Sequence, residues 1–158
     1  MNGKAERNTY LQYVSFSLGN ETFAVDVMKI KGVERIIEIT AVPQSADFLE
    51  GIIHLREEII PVVDMRLKFG LPKNEFTKET RIILIEIGKM VIGVIVDRVY
   101  EVFQIKEEEI GQMPNIGIKV ASRELVRGVA KIGNKLIIII DIDKMFTEDE
   151  TAQIMGNV

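Results

Sequence analysis

The sequence predicts a mainly β protein in which one β unit is used twice to form two small barrels. Three observations support this fold class. Residues 51–69 align without a gap with residues 128–146, short strand patterns alternate with turn signals, and several of those strands are apolar on both faces. Internal repetition sets the architecture of a chain, and many short strands with hardly any long helix favour small barrels.

The repeat has two matched parts whose spacing differs. The later part is offset by 77 positions and the earlier part by 69, so the second copy carries an insertion between them. The matched positions and segments are Gly51 with Gly128, Ile60 with Ile137, Asp64 with Asp141, Phe69 with Phe146, and 18–27 with 87–96.

These matches predict one domain rather than two. Half of this 158-residue chain would bury too little apolar surface to be stable alone, so the copies are expected to share an interface. The domain is predicted to span 10–150, with a first barrel copy at 10–75 and a second at 80–150. These bounds are approximate because strands can be exchanged between the copies. The ends, 1–9 and 156–158, are predicted to be flexible.

The first copy is predicted to begin with a hairpin. Apolar and polar residues alternate over 13–18, the period of a half-buried strand, and a turn signal at 19–20 precedes the partner strand. The helical spacing of Val27, Ile30 and Val33 predicts one short helical turn.

A second hairpin and a helix start follow. Segments 51–55 and 59–63 bracket a tight turn, and Pro61, which has no N–H, needs an edge, a bulge or an outward-facing position. Asp64 stands where a helix N-cap belongs, and Asp141 repeats that position in the second copy. Capping is therefore the predicted role of both aspartates.

The second copy repeats the plan after a polar linker at 72–80. Strands are predicted at 81–87 and 90–96, the inserted part at 107–119 is loop-like, and a short acidic helix is predicted at 147–155.

Three strand segments are apolar on both faces, namely 59–63, 91–96 and 136–140. A small barrel hides only the inward face of each strand. The outward apolar residues must therefore face the other barrel or another protein, which is the first indication of an interaction surface.

Residues suited to catalysis are scarce. The chain has no cysteine, and its single histidine, His54, lies between apolar neighbours on a predicted strand, which favours a structural or surface role. Asp141 and Asp143 supply too few oxygen ligands for a strong cation site, and no glycine-rich loop precedes a helix to hold a phosphate. We predict no catalytic residue, no cofactor and no metal.

Charge and hydropathy narrow the class further. A formal charge of −4 and the absence of tryptophan argue against a nucleic-acid platform. The longest apolar run, Leu136–Ile140, is far too short to cross a bilayer, and the first ten residues lack an apolar signal-peptide core. A cytoplasmic protein that binds rather than reacts is expected.

Three ordered motifs resemble those of CheW-like domains. Residues 48–70 resemble the central signature, in which a glycine, two apolar residues and Asn-Leu-Arg-Gly precede an apolar pair, a proline and an aspartate. Residues 93–102 resemble the second signature, Gly-x-x-Val-Asp-x-Val, and segments 127–129 and 136–141 resemble the third. The resemblance covers about residues 10–150.

This resemblance implies two five-stranded SH3-like barrels around a shared core and a function without catalysis. Proteins of this family couple transmembrane chemoreceptors to the chemotaxis histidine kinase. The kinase regulatory domain has the same fold and packs against the adaptor barrel to barrel, while the receptor's cytoplasmic tip lies in the groove between the barrels. The chain is accordingly expected to be a monomer that joins a larger array at the membrane without inserting into it.

Five candidate partner-binding residues follow from the resemblance, position by position. Arg56 falls on the signature arginine, which is linked with assembly of the signalling complex, and Gly51 on the signature glycine. Ile30, Val99 and Val102 fall on apolar positions of the groove. The competing interpretations are ordinary core packing for the apolar set and a solvated hairpin charge for Arg56.

Two departures from the family pattern bear on these residues. His54 and Glu57 replace the motif's asparagine and glycine, so a different turn geometry and a different orientation of Arg56 can result. Gly32 stands where the family often has glutamate, whereas the second copy has Glu101 at the matching position.

Two alternatives remain open. The chain could be a CheW-like adaptor of a non-flagellar pathway such as pilus motility. In a different class, it could be a tandem SH3-like barrel that binds nucleic acid, which the acidic charge disfavours.

Overall fold

The computed structural model describes residues 10–43, 45–112 and 124–156. These residues form ten strands, two short α-helices and three 3₁₀ turns. The strands are β1 (Tyr10–Leu18), β2 (Glu21–Asp26), β3 (Ile30–Arg35), β4 (Leu49–Leu55), β5 (Glu58–Asp64), β6 (Arg81–Ile87), β7 (Met90–Val96), β8 (Arg98–Lys106), β9 (Val126–Ile132) and β10 (Lys135–Ile140). The helices are α1 (Met65–Lys68) and α2 (Glu148–Gly156), and the 3₁₀ turns are Val27–Lys29, Glu107–Glu109 and Ile142–Lys144.

The strands form two five-stranded sheets that exchange hairpins. The first sheet has the order β8-β1-β2-β10-β9, and the second has the order β3-β6-β7-β5-β4. Each sheet therefore combines the leading hairpin of one repeat with the three remaining strands of the other. The chain crosses to the second sheet between β2 and β3 and returns to the first between β7 and β8. The predicted mainly β class with two five-stranded units is confirmed.

The two sheets share one pairing register. Ile139 lies opposite Ala24 in the first sheet, and Val62 lies opposite Gly93 in the second, in parallel ladders of the same kind. Ile139 is the counterpart of Val62 through the offset of 77, and Gly93 is the counterpart of Ala24 through the offset of 69. The β-bulges also fall at corresponding positions of the two sheets. The sequence repeat is therefore a structural pseudo-twofold.

The apolar residues divide into one shared core and two sheet interiors. In β6, Ile83 and Ile85 join the shared core, whereas Ile82 and Leu84 fill the interior of the second sheet. The first sheet has its own interior cluster. Because neighbouring side chains on a strand point to opposite faces, a strand between two such clusters must be apolar on both. This explains the double-faced strands of the sequence.

A backbone bridge brings the two edges of each sheet together. After β3 the chain turns so that Thr40 and Ile52 exchange two N–H···O bonds of 2.9 Å. Gly111 and Val129 form the corresponding pair after β8, with bonds of 2.8 and 2.9 Å. Each sheet thus curls on itself, as a small barrel requires.

The prediction for residues 27–33 was partly wrong. Only Val27–Lys29 form a helical turn, whereas Ile30 and Val33 lie in β3. The three-residue spacing of Val27, Ile30 and Val33 fits a helix only by chance, because the turn that contains Val27 leads directly into β3. Pairing of β3 with β6 fixes the extended conformation, and its side chains alternate between half-buried and exposed.

Most other local predictions were confirmed. Asp64 accepts a hydrogen bond from the backbone N–H of Arg66 at 3.0 Å, and Asp141 accepts one from the N–H of Asp143 at 3.2 Å, so both act as caps. Pro61 lies in β5 just before its pairing with β7 starts, so no strand pairs with it on that side. The ends 1–9 and 157–158, and 113–119 of the predicted insertion, lie outside the described residues.

No helix among the described residues is long and apolar enough to cross a membrane.

Candidate protein-binding surfaces

Two predicted site residues lie on β3 and β8, the strands that follow the two crossovers. Ile30 begins β3, and Val99 occupies the corresponding place in β8, 69 positions later. Both are half-buried, and both pack against the shared core. The pseudo-twofold therefore brings side chains from two different sheets to one apolar cluster.

Val102, the third apolar candidate, is on the surface of β8. It is 53% exposed, and its counterpart on β3, Val33, is 42% exposed. Met28, at the crossover before β3, is 80% exposed. Single exposed apolar residues are ordinary, but exposure at corresponding positions of both edge strands makes these residues candidates for contact with a partner. Val33 was missed as a binding candidate, although the offset of 69 from Val102 would have identified it.

Arg56 occupies the tip of the β4–β5 hairpin in a strained conformation. Its φ is +51°, and that of Glu57 is +72°; positive φ at both central residues is the mark of a type I′ turn. Loss of the family's glycine has therefore not removed the positive-φ turn. The hairpin turns at Gly19, Gly88 and Gly133 place glycine at positive φ instead. The Arg56 side chain is exposed, and the described part of the chain offers it no ion pair.

Replacing Glu57 by glycine is expected to stabilise the protein by about 0.5–1 kcal/mol. A non-glycine residue in the left-handed region carries a steric penalty of roughly 1–2 kcal/mol, which the greater freedom of unfolded glycine offsets only in part. The urea midpoint of Glu57→Gly should therefore rise. Glu58→Gly, one residue later in β5 and without a positive φ, should lower it. A lower midpoint for Glu57→Gly would show that the turn is not strained.

Gly51, the other predicted site residue on this hairpin, is buried under a backbone bridge. A Cβ there would lie 2.3 Å from the Thr40 carbonyl oxygen and 2.8 Å from Cγ2 of Ile39. Ile39 packs against the interior cluster of the second sheet, whereas Ile30 and Val99 pack against the shared core. Gly51 therefore lies beside a different apolar cluster from these two candidates.

A second pair of exposed apolar residues stands at the starts of β5 and β10. Ile59 is 44% exposed, and its counterpart Leu136 is 55% exposed. Beside Ile59 a shallow groove lies between the start of β5, the β6–β7 turn and the end of α2. Its lining residues are Glu58, Ile59, Ile60, Pro61, Lys89, Met90, Val91 and Met155. Each half of the molecule therefore presents an apolar strand start to solvent.

The position at which the family often has glutamate would accept a side chain. A Cβ on Gly32 would make ordinary contact with Leu84, 3.6 Å from its Cδ1. At the matching place in β8, Glu101 is exposed, and its carbonyl oxygen accepts a hydrogen bond from the Ser15 hydroxyl at 3.2 Å. Only β8 thus presents a carboxylate at this pair of positions.

Asp64 is the one buried carboxylate of the described residues, with 1% of its surface exposed. Burial raises the pKa of Asp64, and the nearby Glu50 carboxylate raises it further, against the opposing hydrogen bond from Arg66 N–H. The folded state therefore holds the Asp64 proton more tightly than the unfolded chain. Its contribution to stability is present below the ordinary pKa of about 3.9 and is lost as the pH rises through the higher folded value.

Asp64→Asn is consequently expected to raise the free energy of unfolding at pH 7. Asparagine can still cap Arg66 N–H, and it removes the buried charge. Denaturant titrations at several pH values between 4 and 7 should show a flatter dependence for this variant. Asp141→Asn, at the half-buried counterpart, tests the effect of the cap alone. An unchanged pH dependence in Asp64→Asn would contradict this account.

The remaining polar residues suggest no reaction centre. His54 is exposed on β4. Within the described ranges, no group of three or more His, Asp or Glu side chains is placed to hold a metal ion.

The fold and these residues define a class: a scaffold of two packed five-stranded sheets with exposed apolar residues on corresponding strands. A family model for the CheW-like domain matches residues 12–150, and the chain belongs to this family.

Individual relatives agree. The chemotaxis protein CheW of Thermotoga maritima is 35% identical over 137 residues, covering 87% of this chain and 88% of the relative. That of Bacillus subtilis is 31% identical over 147 residues, covering 93% and 94%. The crystal structure of the scaffolding protein TtCheW from Thermoanaerobacter tengcongensis matches with a TM-score of 0.80 and 37% identity, over 90% of this chain and 96% of that one. The chain is therefore a chemotaxis scaffold or adaptor.

Proposed function

We propose that this chain couples chemoreceptors to the chemotaxis histidine kinase by binding both, without catalysing a reaction itself. The observation that carries the proposal is that β3 and β8 each combine an apolar residue packed on the shared core, Ile30 or Val99, with an exposed one at corresponding positions. A scaffold needs surfaces rather than reactive groups, and this pair offers a half-buried base with exposed flanks on strands of both sheets.

The receptor's helical tip binds at β3 and β8. Ile30 and Val99 form the base of the site, because they are held by the shared core. Val33 and Val102 flank it, because they remain exposed. An amphipathic helix laid on such a surface buries its apolar face, as in other helix-in-groove complexes.

The kinase binds through the exposed strand starts. Its regulatory domain has the same fold, so corresponding strand edges can pack barrel to barrel. Ile59 and Leu136 supply apolar contact, and Arg56, which has no ion pair among the described residues, supplies a charge for a partner carboxylate. Gly51 supports this hairpin from within rather than by contact, because Thr40 covers it.

Coupling then follows from thermodynamic linkage. A scaffold that binds two proteins transmits a signal when its affinity for one depends on the state of the other. The scaffold reaches the membrane by holding the receptor, within an array of receptors and kinases.

Ile59→Asp is expected to weaken binding of the kinase regulatory domain at least tenfold and to leave receptor-tip binding unchanged. A carboxylate at a desolvated apolar contact has no compensating partner, and loss of a central contact typically costs about 1–3 kcal/mol. Titration calorimetry with each isolated partner measures both effects. Phe76→Asp, on a linker residue 40% exposed, is the matched control. Equal loss of both partners in Ile59→Asp would refute separate surfaces.

A further inference from the structure

The chain crosses between the sheets before β3 and before β8, and the side-chain contacts that hold these two crossovers differ in strength. We infer that Arg66 and Asp97 are positioning residues that make β8 the fixed side of the proposed receptor surface, leaving β3 as its adjustable side. This inference rests on the proposed function, because it assigns different mechanical roles to the two strands of that surface.

The crossover before β8 is held by a network around Asp97. Its backbone N–H donates to the Ser17 carbonyl at 3.0 Å, and one carboxylate oxygen accepts from Gly19 N–H at 2.7 Å. The same oxygen pairs with Nη1 of Arg66 at 2.5 Å, and Nε of Arg66 donates to the Pro72 carbonyl at 2.9 Å. Asp97 therefore ties the start of β8 to the β1–β2 turn and to α1 together.

This network is sheltered from water. The Arg66 side chain is 13% exposed, and that of Asp97 is 30% exposed. Charge-assisted hydrogen bonds are stronger than neutral ones, and sheltered ones are screened little by salt. The contacts that hold the start of β8 are therefore expected to weaken little as the salt concentration rises.

The crossover before β3 is held by a weaker ion pair, in which the crossover residue is the base rather than the acid. Lys29 pairs with Asp143 at 3.0 Å, with side chains 38% and 51% exposed. Asp143 corresponds to Arg66 through the offset of 77, so an acid stands where the other copy has a base. Its partner Lys29 corresponds to Arg98, one residue after Asp97. An ion pair this exposed adds little and is screened by salt.

The second anchor is missing on the β3 side. Met28 occupies the position that corresponds to Asp97, so this crossover has no carboxylate at the place from which Asp97 binds Gly19 N–H. The backbone N–H of Met28 is bonded only locally, to Asp26 at 2.9 Å. The Met28 side chain is 80% exposed. A receptor helix can therefore shift the start of β3 more readily than the start of β8, where Asp97 keeps Val99 and Val102 in place.

Amide hydrogen exchange tests the difference within one molecule. Val99 and Val102 of β8 pair with β1 in the same register as Ile30 and Val33 of β3 pair with β6, so these two pairs of amides are matched. In the wild type, the amides of Val99 and Val102 should be at least tenfold more protected than those of Ile30 and Val33, after correction for intrinsic rates. Asp97→Asn should reduce β8 protection to the level of β3, while Lys29→Ala should change β3 less than twofold. Equal protection in the wild type, or unchanged β8 protection in Asp97→Asn, would overturn the inference.

The affinity for a receptor cytoplasmic fragment tests whether the same residues matter for binding. Asp97→Asn should raise the Kd about fivefold through faster dissociation, and Lys29→Ala should raise it less than twofold. Arg66→Gln, which leaves the Asp97–Gly19 bond in place, should act like Asp97→Asn and replaces it if that variant fails to fold. A raised Kd with intact β8 protection would show that these residues do not act by positioning. If the wild type does not bind the fragment, the proposed function is wrong. The exchange measurement still tests whether β8 is held more firmly than β3.

Discussion

Gly51→Ala is expected to lower the free energy of unfolding by about 3–5 kcal/mol, since it combines overpacking with the loss of two backbone hydrogen bonds. The new Cβ would lie 2.3 Å from the Thr40 carbonyl oxygen, so backbone must move rather than a flexible side chain. The Thr40–Ile52 bridge, with its two bonds of 2.9 Å, would separate, and it is what brings the edges of the second sheet together. The loss is large against a typical total of roughly 5–15 kcal/mol.

Three other glycines provide a graded comparison. Gly128→Ala should cost as much as Gly51→Ala, because its Cβ would lie 2.5 Å from the Gly111 carbonyl oxygen. Gly93→Ala should cost less, about 1–2 kcal/mol, because the nearest atom, 2.7 Å away, is the Ile82 side-chain methyl Cγ2. Gly156→Ala should change stability by no more than about 0.5 kcal/mol, since nothing lies within 4 Å. Chemical denaturation gives all four values. A cost below about 1 kcal/mol for Gly51→Ala would contradict the described bridge.

Val102→Asp should weaken binding of a receptor cytoplasmic fragment by at least tenfold, and more if Val102 is a hot spot. Val102 is 53% exposed, so an aspartate is solvated in the free protein and the fold is unaffected. In the complex the carboxylate would be buried against an apolar helix face without a partner, which costs several kcal/mol unless the helix shifts. Val33→Asp, at the corresponding place on β3, should also weaken binding, but by less if β3 is the adjustable side.

Leu136→Asp is the matched control for this receptor surface. Leu136 is as exposed as Val102, at 55%, and lies at the start of β10 on the same sheet. Receptor affinity should stay within twofold of wild type in this variant. The assignment of the receptor surface to β3 and β8 fails if Leu136→Asp loses as much affinity as Val102→Asp, or if Val102→Asp binds normally.

The repeat made much of the fold predictable, but not which copy supplies which strand. Alternation marks the first hairpin, aspartates mark the helix starts at Asp64 and Asp141, and continuous apolar runs mark the double-faced strands. Each of these signals lies within a few residues of the sequence. Exchange of the β1–β2 and β6–β7 hairpins leaves that local pattern unchanged. Only packing in three dimensions decides between the two arrangements, so the sequence carried no local signal for it.

The candidate site was predictable to a lesser degree. Applying the offset of 69 to Val102 would have identified Val33, whereas the motif comparison named only one member of the pair. Gly51 and Gly128 occupy the same position in the two copies, which indicates a backbone constraint. The close contact of Thr40 with Gly51 could not be predicted, because no sequence pattern marks Thr40. The turn at Arg56 kept its positive φ without glycine, since hairpin twist outweighs the local penalty.

Reconstitution of kinase control tests the central claim most directly. Purified kinase and receptor cytoplasmic fragments would be co-sedimented, and kinase activity measured, with wild-type protein, with Arg56→Ala, and without the scaffold. The account predicts that the wild type joins both partners and that receptor controls kinase activity only when it is present. Folded Arg56→Ala should lose kinase from the pellet while retaining receptor. Receptor control of the kinase without the scaffold, or a wild type that binds neither partner, would contradict the account.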